Sequence, residues 1–324
     1  MSGLTDIPGL LVGHASDYDG LTGCTVVLAE NGAVAGGDIR GSATGLEEWD
    51  LLSPMHVTDR IHAVCFSGGS AFGLEAASGV RRFLEHKGVG FKTGAGPVPL
   101  VVGAILYDLG IGKNSVRPTR EMGEMAAAAA SNKPVVEGAV GAGTGATVGK
   151  ILGVKQAMKS GVGSWTVKLE GPNAGVMVSA LAVVNALGDV RDQATGKIIA
   201  GARRAPDSRE FADSARLMKA SGPTGFTRSN TRGNTTLVVV ATNAALDKVQ
   251  ATKLAQLGQL GVARSIYPVN TMSDGDIVIA LSIGTSRAPV DALGVAAAEA
   301  VAESILRAVR LAPTLGGIPG LKPA

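Results

Sequence analysis

Short β-branched apolar runs alternate with amphipathic segments along most of the chain. Runs of this length that are bounded by Gly, Asn, Asp or Pro predict buried strands, whereas apolar positions three to four residues apart predict helices. The pattern is most regular near the C-terminus, where it predicts the order strand, helix, strand, helix. These four elements are predicted at 235–242, about 246–260, 277–283 and about 290–310.

The first two thirds of the chain mix the same patterns less regularly. Strands are predicted at 23–30, 60–66, 164–171 and 174–185, and helices at 118–131 and 207–221. Residues 98–107 are predicted to be another strand or a buried segment. A further helix is expected after Ser70, which we interpret as its cap, with Phe72, Ala76, Val80 and Phe83 or Leu84 on one face. Residues 35–45 and 222–234 read as loops. No internal repeat is found, and the mixture predicts an α/β or α+β protein with sheet layers covered by helices.

Composition narrows the function. The chain has 324 residues, of which 45% are hydrophobic, 18% charged and 3% aromatic, and its net charge is +3. Scarce aromatic residues and the absence of a Lys/Arg run argue against nucleic-acid binding. The two cysteines, Cys24 and Cys65, are expected to be buried free thiols. The four histidines show no metal-ligand spacing, so neither a metal nor a cofactor is predicted.

The N-terminal segment lacks the basic start, apolar core and small-residue cleavage site of a signal peptide. Every long apolar run is interrupted by Gly, Asp or Asn before it reaches the ~18 residues of a membrane span. We therefore expect a cytoplasmic protein without a membrane partner.

The stretch TRGNTTLVVVATN, at residues 231–243, joins a polar loop directly to a strand. A threonine hydroxyl becomes a good nucleophile when a base lies beside it, and the α-amine of an N-terminal threonine supplies one. Such an amine exists here only if the chain is cut before Thr235, a reaction that the same hydroxyl performs by attacking the carbonyl of Asn234. Gly233 gives the backbone freedom to bend there. An ordinary turn before a strand remains the alternative from these residues alone.

The junction GNTTLVVVATNA resembles the processing site of the L-aminopeptidase/D-esterase family, which includes β-aminopeptidases and nylon-oligomer hydrolases. Further segments match in order, so that the resemblance covers nearly the whole chain. They are SGGSAFGLEAASGV (67–80), AILYDLG (104–110), VGAGTGATVGK (140–150), Asn185 and SDGDIVIALS (273–282). The resemblance implies an αββα sandwich similar to that of N-terminal nucleophile hydrolases. It also implies one hydrolase domain over 1–324 that cuts itself into chains 1–234 and 235–324, which stay together and form a homo-oligomer, expected to be a tetramer of two-chain units.

By the same resemblance, Thr235 is the nucleophile and Asn185 donates a hydrogen bond to the oxyanion. Asp274 and Asp276 are expected to orient the new amine or the hydroxyl. Lys150 stands where the aminopeptidase members tend to carry a nearby tyrosine. Lysine there, together with the Asp-Gly-Asp pattern, is similar to the nylon-oligomer hydrolases.

Each of these residues also has an ordinary interpretation. The Asp-Gly-Asp sequence at 274–276 is typical of a hairpin turn, and an asparagine at a strand end is commonly a turn former. Lys150 is either a buried amine with a lowered pKa, a cation that supports the oxyanion, or a solvated surface lysine.

Competing motifs fit less well. The segment 138–150 fails the Walker A pattern at two positions, and the loose G-x-G-x-x-A at 141–146 is expected by chance among 46 glycines. The GGSAF stretch at 68–72 lacks the last glycine of a nucleophile elbow. A non-enzymatic glycine-rich binding protein would stay a single chain.

For the substrate, the sequence predicts an amide or peptide of small size. A lysine facing a closed site would repel a substrate ammonium, which favours cleavage of internal amide bonds in linear, nylon-type oligoamides. An exo-acting aminopeptidase, a β-aminopeptidase or a D-amino-acid amidase or esterase is the alternative.

Overall fold

The computed structural model describes residues 3–221 and 233–323. The α-helices of this part are α1 (Glu75–His86), α2 (Arg120–Ala128), α3 (Ser214–Ala220), α4 (Lys248–Ser265) and α5 (Val290–Arg310). The strands are β1 (Leu11–Asp17), β2 (Thr22–Ile39), β3 (Leu46–Glu47), β4 (Arg60–Ser67), β5 (Phe91–Thr93), β6 (Gly96–Val98), β7 (Val101–Ile105), β8 (Thr147–Val148), β9 (Met158–Lys159), β10 (Val162–Lys168), β11 (Met177–Asn185), β12 (Asp189–Arg191), β13 (Ile198–Ala200), β14 (Thr235–Ala244), β15 (Ile266–Tyr267) and β16 (Ile277–Ser286).

Most long strands belong to one hydrogen-bonded path with the order β10-β11-β14-β16-β2-β4-β7-β3, and β1 pairs with β2 in addition. Strand β2 links the two halves of this path. Its first half, Thr22–Leu28, pairs with β1, and its second half, Val34–Ile39, pairs with β16. The register towards β4 shifts between Leu28 and Ala33, so one strand passes from one sheet layer into the other.

Alternating side chains along the strands build three apolar layers. In β14, Leu237 and Val239 face the other sheet layer, whereas Val238 and Val240 pack towards α4 and α5. On the opposite outer side, Val26 and Leu28 of β2 pack with residues of α1 and α2. The order of layers is therefore helix, sheet, sheet, helix, which confirms the predicted αββα sandwich.

The helix caps explain where two of these helices begin. Asp247 accepts a hydrogen bond from the main-chain N–H of Gln250, whose side chain in turn accepts from the N–H of Asp247, and this reciprocal cap starts α4. Thr119 caps α2 by accepting from the N–H of Met122. Pro118 precedes this cap, close to the predicted start.

Four expectations from the sequence are corrected. Residues 35–39 are strand rather than loop, because β2 continues to Ile39 to pair with β16. Ser70 does not cap α1, since it has a φ of +54° within a 3-10 turn and α1 begins only at Glu75. Phe72 is exposed and packs under the guanidinium of Arg117. Within 207–221, only Ser214–Ala220 is helical. The loop expected at 222–234 lies mostly outside the described residues.

Candidate active site

Strand pairing brings the predicted site residues to one edge of the sheet. β14 lies between β11, which is antiparallel to it, and β16, which is parallel to it. The end of β11 and the starts of β14 and β16 therefore meet at the same edge. Asn185 is the register partner of Thr235, and Asn234 forms a parallel bridge with Asp274.

The Thr235 hydroxyl is next to the bond that we expect to be cut. Its Oγ1 donates a hydrogen bond of 2.5 Å to the carbonyl oxygen of Asn234. The main-chain N–H of Gly275 donates to the same oxygen at 2.7 Å. Thr235 and Asn234 are both buried. The carbonyl is thus held by a fixed donor, while a hydroxyl lies beside it.

Gly275 has a steric reason to be glycine. A Cβ at this position would lie 2.9 Å from Thr235 Oγ1 and 2.7 Å from the carbonyl oxygen of Ala43. The residue between the two aspartates therefore permits the close approach of its N–H to the reacting carbonyl.

Asp274 is buried and accepts hydrogen bonds through both oxygens. Thr271 donates to Oδ2 from its main-chain N–H at 3.0 Å and from its hydroxyl at 2.6 Å, and the N–H of Leu187 donates to Oδ1 at 3.4 Å. Burial raises the pKa of Asp274, and these hydrogen bonds and the Lys150 charge oppose the rise.

Asp276 is also buried. Its Oδ1 accepts from the N–H of Thr236 at 2.6 Å, and its Oδ2 accepts from the N–H of Asn270 at 3.0 Å. Burial raises the pKa of Asp276, and the neighbouring Asp274 charge raises it further. These effects raise the pKa of Asp276 to about 7, so this carboxyl can accept and donate a proton near neutral pH, beside a second carboxyl whose pKa is also raised.

Lys150 is buried and holds the side chain of Asn185. Its Nζ donates to Asn185 O and to Asn185 Oδ1, each at 2.7 Å, and to Thr147 O at 3.3 Å. Burial lowers the pKa of Lys150 to about 7, although the charges of Asp274, Asp108 and Asp276 raise it. The amine therefore titrates in the same pH range as Asp276, whose pKa is raised to about 7.

The amide orientation of Asn185 follows from these donors. Because Oδ1 accepts from Lys150 and from the N–H of Thr147, the Nδ2 group points the other way. Nδ2 donates to the carbonyl oxygens of Tyr107, at 3.0 Å, and of Gly233, at 3.2 Å. Asn185 therefore binds the carbonyl one residue upstream of the expected oxyanion in the uncut chain.

A cavity of about 550 Å³ opens beside this edge. Its wall combines charged, polar and apolar groups, and both residues before Thr235 contribute to it. The lining consists of Tyr107, Asp108, Gly110, Ile111, Gly145, Thr147, Lys150, Leu152, Gly153, Val154, Lys155, Gln156, Pro206, Gly233 and Asn234.

The structure brings all five predicted side chains, Thr235, Lys150, Asn185, Asp274 and Asp276, to one site. The surface interpretation of Lys150 is wrong, because the amine is buried against Asn185. The hairpin interpretation of 274–276 is wrong as well, because Asp274 pairs in parallel with Asn234.

Two contributors were missed. Tyr107 lies in the matching segment 104–110, which was the available signal, but no tyrosine was expected near Lys150. The Gly275 N–H was overlooked because a main-chain donor leaves no mark on a residue pattern beyond the glycine itself. Both cysteines are buried and free, as expected.

Among the described residues, no cluster of His, Cys, Asp and Glu has the arrangement of a metal site. In the same part of the chain, no helix combines the length and apolarity needed to cross a bilayer.

Comparisons with known proteins show the family of the chain. The model of Peptidase family S58 matches residues 2–322. An uncharacterised aminopeptidase of Mycobacterium tuberculosis is 39% identical over 348 residues, which cover 98% of this chain and 96% of that protein. A 6-aminohexanoate-oligomer endohydrolase of a Kocuria species is 29% identical over 327 residues, covering 94% of this chain and 85% of the relative.

A solved structure shows the same fold. It is the L-aminopeptidase D-Ala-esterase/amidase of Ochrobactrum anthropi, described as a variant of the Ntn hydrolase fold. It superposes with a TM-score of 0.72 at 19% identity, over 98% of this chain and 88% of that one.

Proposed function

The chain belongs to peptidase family S58 and is an amide-bond hydrolase, and we propose that Thr235 is its nucleophile and cuts the chain after Asn234. The observation that carries the proposal is the shared carbonyl of Asn234, which accepts from both Thr235 Oγ1 and the Gly275 N–H. An attacking group and an oxyanion donor thus converge on one peptide bond before any substrate binds.

Self-cleavage proceeds in two steps. The Thr235 oxygen attacks the Asn234 carbonyl carbon, the oxyanion forms against the Gly275 N–H, and the C–N bond breaks as the nitrogen takes up a proton. The resulting ester on Thr235 Oγ1 is hydrolysed by water, leaving chains of 234 and 90 residues (324 − 234). The carboxyls of Asp274 and Asp276 accept and return protons, because their raised pKa values lie closer to neutrality than those of ordinary aspartates.

Turnover repeats this chemistry on an amide that enters from solution. The freed Thr235 amine then acts as the local base for its own hydroxyl. Lys150 keeps Asn185 in place and adds positive charge near the developing oxyanion.

For the substrate, we propose internal amide bonds of linear, nylon-type oligoamides. A cation at Lys150 on the cavity wall disfavours a substrate ammonium next to the scissile bond. The Kocuria relative acts on an aminohexanoate oligomer by its name. The alternative is an exo-acting aminopeptidase, which the name of the Mycobacterium relative favours, and the Asp108 carboxylate on the same wall offers a partner for an amine.

The cut is tested by intact mass spectrometry and N-terminal sequencing of the small fragment. Wild type is expected to yield two co-purifying chains, the smaller starting at Thr235, and Thr235→Ala to stay whole and inactive. Thr236→Val is the matched control, since Thr236 also begins β14 but its hydroxyl is not the one that donates to the Asn234 carbonyl. An active protein that consists only of the full chain would contradict the proposal.

The substrate is tested by offering the cleaved enzyme an aminohexanoate oligomer and an amino-acid anilide. We expect the oligomer to be cut at internal bonds at least as fast as the anilide. Hydrolysis confined to compounds with a free amine beside the scissile bond would establish the aminopeptidase alternative.

We also propose that the two-chain unit assembles into a homo-oligomer, with a tetramer as the expected size. Val249 and Leu260 on α4 and Val295 on α5 are exposed apolar side chains on the outer helical layer, where a second copy can pack. Light scattering at micromolar concentration should report a multiple of the two-chain mass; a stable single unit would refute this.

A further inference from the structure

Gly233 lies two positions before Thr235 and is tightly packed against Tyr107. Its φ is +104°, a conformation that L side chains rarely adopt. A Cβ built on it would lie 2.4 Å from Cγ of Tyr107 and 2.6 Å from Cβ and Cδ1 of the same residue. The base of the Tyr107 side chain, from Cβ to the first ring atoms, therefore lies directly against Gly233.

The main-chain carbonyls of Gly233 and Asn234 also accept hydrogen bonds. The carbonyl of Gly233 accepts from Asn185 Nδ2 at 3.2 Å, and the carbonyl of Asn234 accepts from the Gly275 N–H at 2.7 Å. The side chain of Asn234 donates to the carbonyl of Ser273 at 3.2 Å. The last two residues before the cut thus occupy defined positions rather than a loose loop end.

The chemistry of a shared nucleophile makes these positions relevant to the substrate. In self-cleavage, the acyl group transferred to Thr235 Oγ1 is that of Asn234; in turnover, it is that of the substrate. Because both acyl groups are bonded to the same oxygen and face the same Gly275 donor, they occupy the same place. The unit before the substrate acyl group then follows the path of Gly233, along the cavity wall.

We infer that Gly233 and Asn234 mark the two acyl-side subsites of the enzyme, and that Tyr107 restricts the second subsite to a unit without a side chain at its contact point. The inference rests on the proposed function, since it requires Thr235 to be the nucleophile of both reactions. Glycine and the methylene groups of a linear oligoamide meet the restriction, whereas other L-amino acids do not. Asn185 binds the carbonyl of this second unit when its spacing is that of a peptide.

Tyr107 is accordingly a specificity-determining residue and not a catalytic one. Its main-chain carbonyl, which receives Asn185 Nδ2, persists in every substitution at this position. Changes in the ring therefore alter the wall of the subsite while leaving that hydrogen bond available.

The test uses cleaved enzyme and three 4-nitroanilides: acetyl-Gly-Asn-, acetyl-L-Ala-Asn- and Asn-4-nitroanilide. Wild type and Tyr107→Phe, which keeps the ring, should favour acetyl-Gly over acetyl-L-Ala by about tenfold to a hundredfold in kcat/KM, the range of overpacking effects. Tyr107→Gly, which removes Cβ as well as the ring, should reduce this ratio by about tenfold, and the remainder reflects the positive φ. An unchanged ratio in Tyr107→Gly, or no preference in wild type, overturns the inference.

Failure of the proposed function looks different. If Asn-4-nitroanilide is cut but both acetylated compounds are not, the hydrolase stands and the second subsite is refuted. If none of these amides nor an aminohexanoate oligomer is cut, the proposed activity fails. The subsite is then judged by maturation alone: Gly233→Ala should slow self-cleavage, and Gly233→Ala with Tyr107→Gly should restore part of the rate. Maturation of Gly233→Ala at the wild-type rate, or no rescue by the second change, overturns it.

Discussion

Lys150 and Lys159 are both buried lysines whose pKa burial lowers to about 7. Their surroundings differ. Lys150 lines the cavity, donates to Asn185 beside Thr235, and faces the charges of Asp274 and Asp276. Within residues 3–221 and 233–323, Lys159 donates only to main-chain carbonyls, and Asp108 is the one carboxylate there that raises its pKa.

Lys159 has a structural role, which its hydrogen bonds show. Its Nζ donates to the carbonyl oxygens of Gly143, Ala146 and Ser160, at 3.1, 2.7 and 2.8 Å, and so ties the 141–146 segment to β9. A perturbed pKa therefore does not distinguish the two lysines, although such shifts are enriched at functional sites. Contact with a reacting group distinguishes them.

The largest effects should come from Asp274 and Asp276, the two carboxyls that act on Lys150 and not on Lys159. Asp276→Asn and Asp274→Asn should each slow self-cleavage and turnover by about 10²–10⁴-fold, the range for loss of a general acid or base. Time courses of the uncut fraction and of amide hydrolysis measure both reactions. Normal rates in both variants would reduce the pair to a structural role and remove the difference between the lysines.

The next largest effect should come from replacing each of the two lysines, in turn, by methionine. Lys150→Met should slow both reactions by about a hundredfold, because Asn185 loses the amine that holds its side chain and the oxyanion region loses the positive charge of its protonated form. Lys159→Met, measured on folded protein, should leave both rates nearly unchanged. Similar losses in the two variants would mean that buried positive charge, and not contact with the site, supports the reaction.

For stability we expect the opposite order, with Lys159 as the more important of the two lysines. Lys159→Met should lower the free energy of unfolding by about 1–3 kcal/mol, since three buried carbonyls lose their donor. Because the folded pKa of Lys159 is below the ordinary 10.5, the unfolded chain holds the extra proton between about pH 7 and 10.5, and wild-type stability from this group rises with pH there. Denaturant unfolding in a Thr235→Ala background measures this, and the gap to Lys159→Met should widen with pH; a constant gap would show that the amine stays charged.

The smallest effect is a shift of the acid limb of the rate profile. The Lys150 charge helps to lower the pKa of Asp274, so Lys150→Met should move the limb to higher pH. The Asp274 charge helps to raise the pKa of Asp276, so Asp274→Asn should move it to lower pH. Lys159→Met serves as the control and should leave the limb in place. Shifts of the same sign in the first two variants would contradict the assignment of the limb to the carboxyls.

Regular periodicity made the C-terminal part of the fold predictable. The order β14, α4, β16, α5 follows from uninterrupted apolar patterns, and the junction before Thr235 was visible because it abuts one of them. The course of β2 beyond Glu30 was missed, since Gly36 and Gly37 read as loop residues. They are strand residues that permit close packing against α4 and against Trp49. Such contacts are tertiary, and a local pattern does not contain them.

The sequence predicted the five side chains of the site but not the groups that surround them. The resemblance supplied all five predicted residues, because each stands in a matching segment. Tyr107 packs against Gly233 and the Gly275 N–H binds the Asn234 carbonyl, and both contacts depend on which strands become neighbours. The burial of Lys150 likewise depends on packing around Asn185, which neither hydropathy nor spacing reports.

The place of the expected cut within the sheet bears on how the protein can be recovered once denatured. β14 and β16 are neighbours within the main sheet path, and together with α4 and α5 they all follow Thr235 in the chain. The intact chain assembles this sheet within one molecule, at a rate independent of concentration. After cutting, two separated polypeptides must first collide, so renaturation becomes a second-order process that dilution suppresses. The mature form would then owe its persistence to slow unfolding, as a kinetically trapped product of a precursor that folded only once.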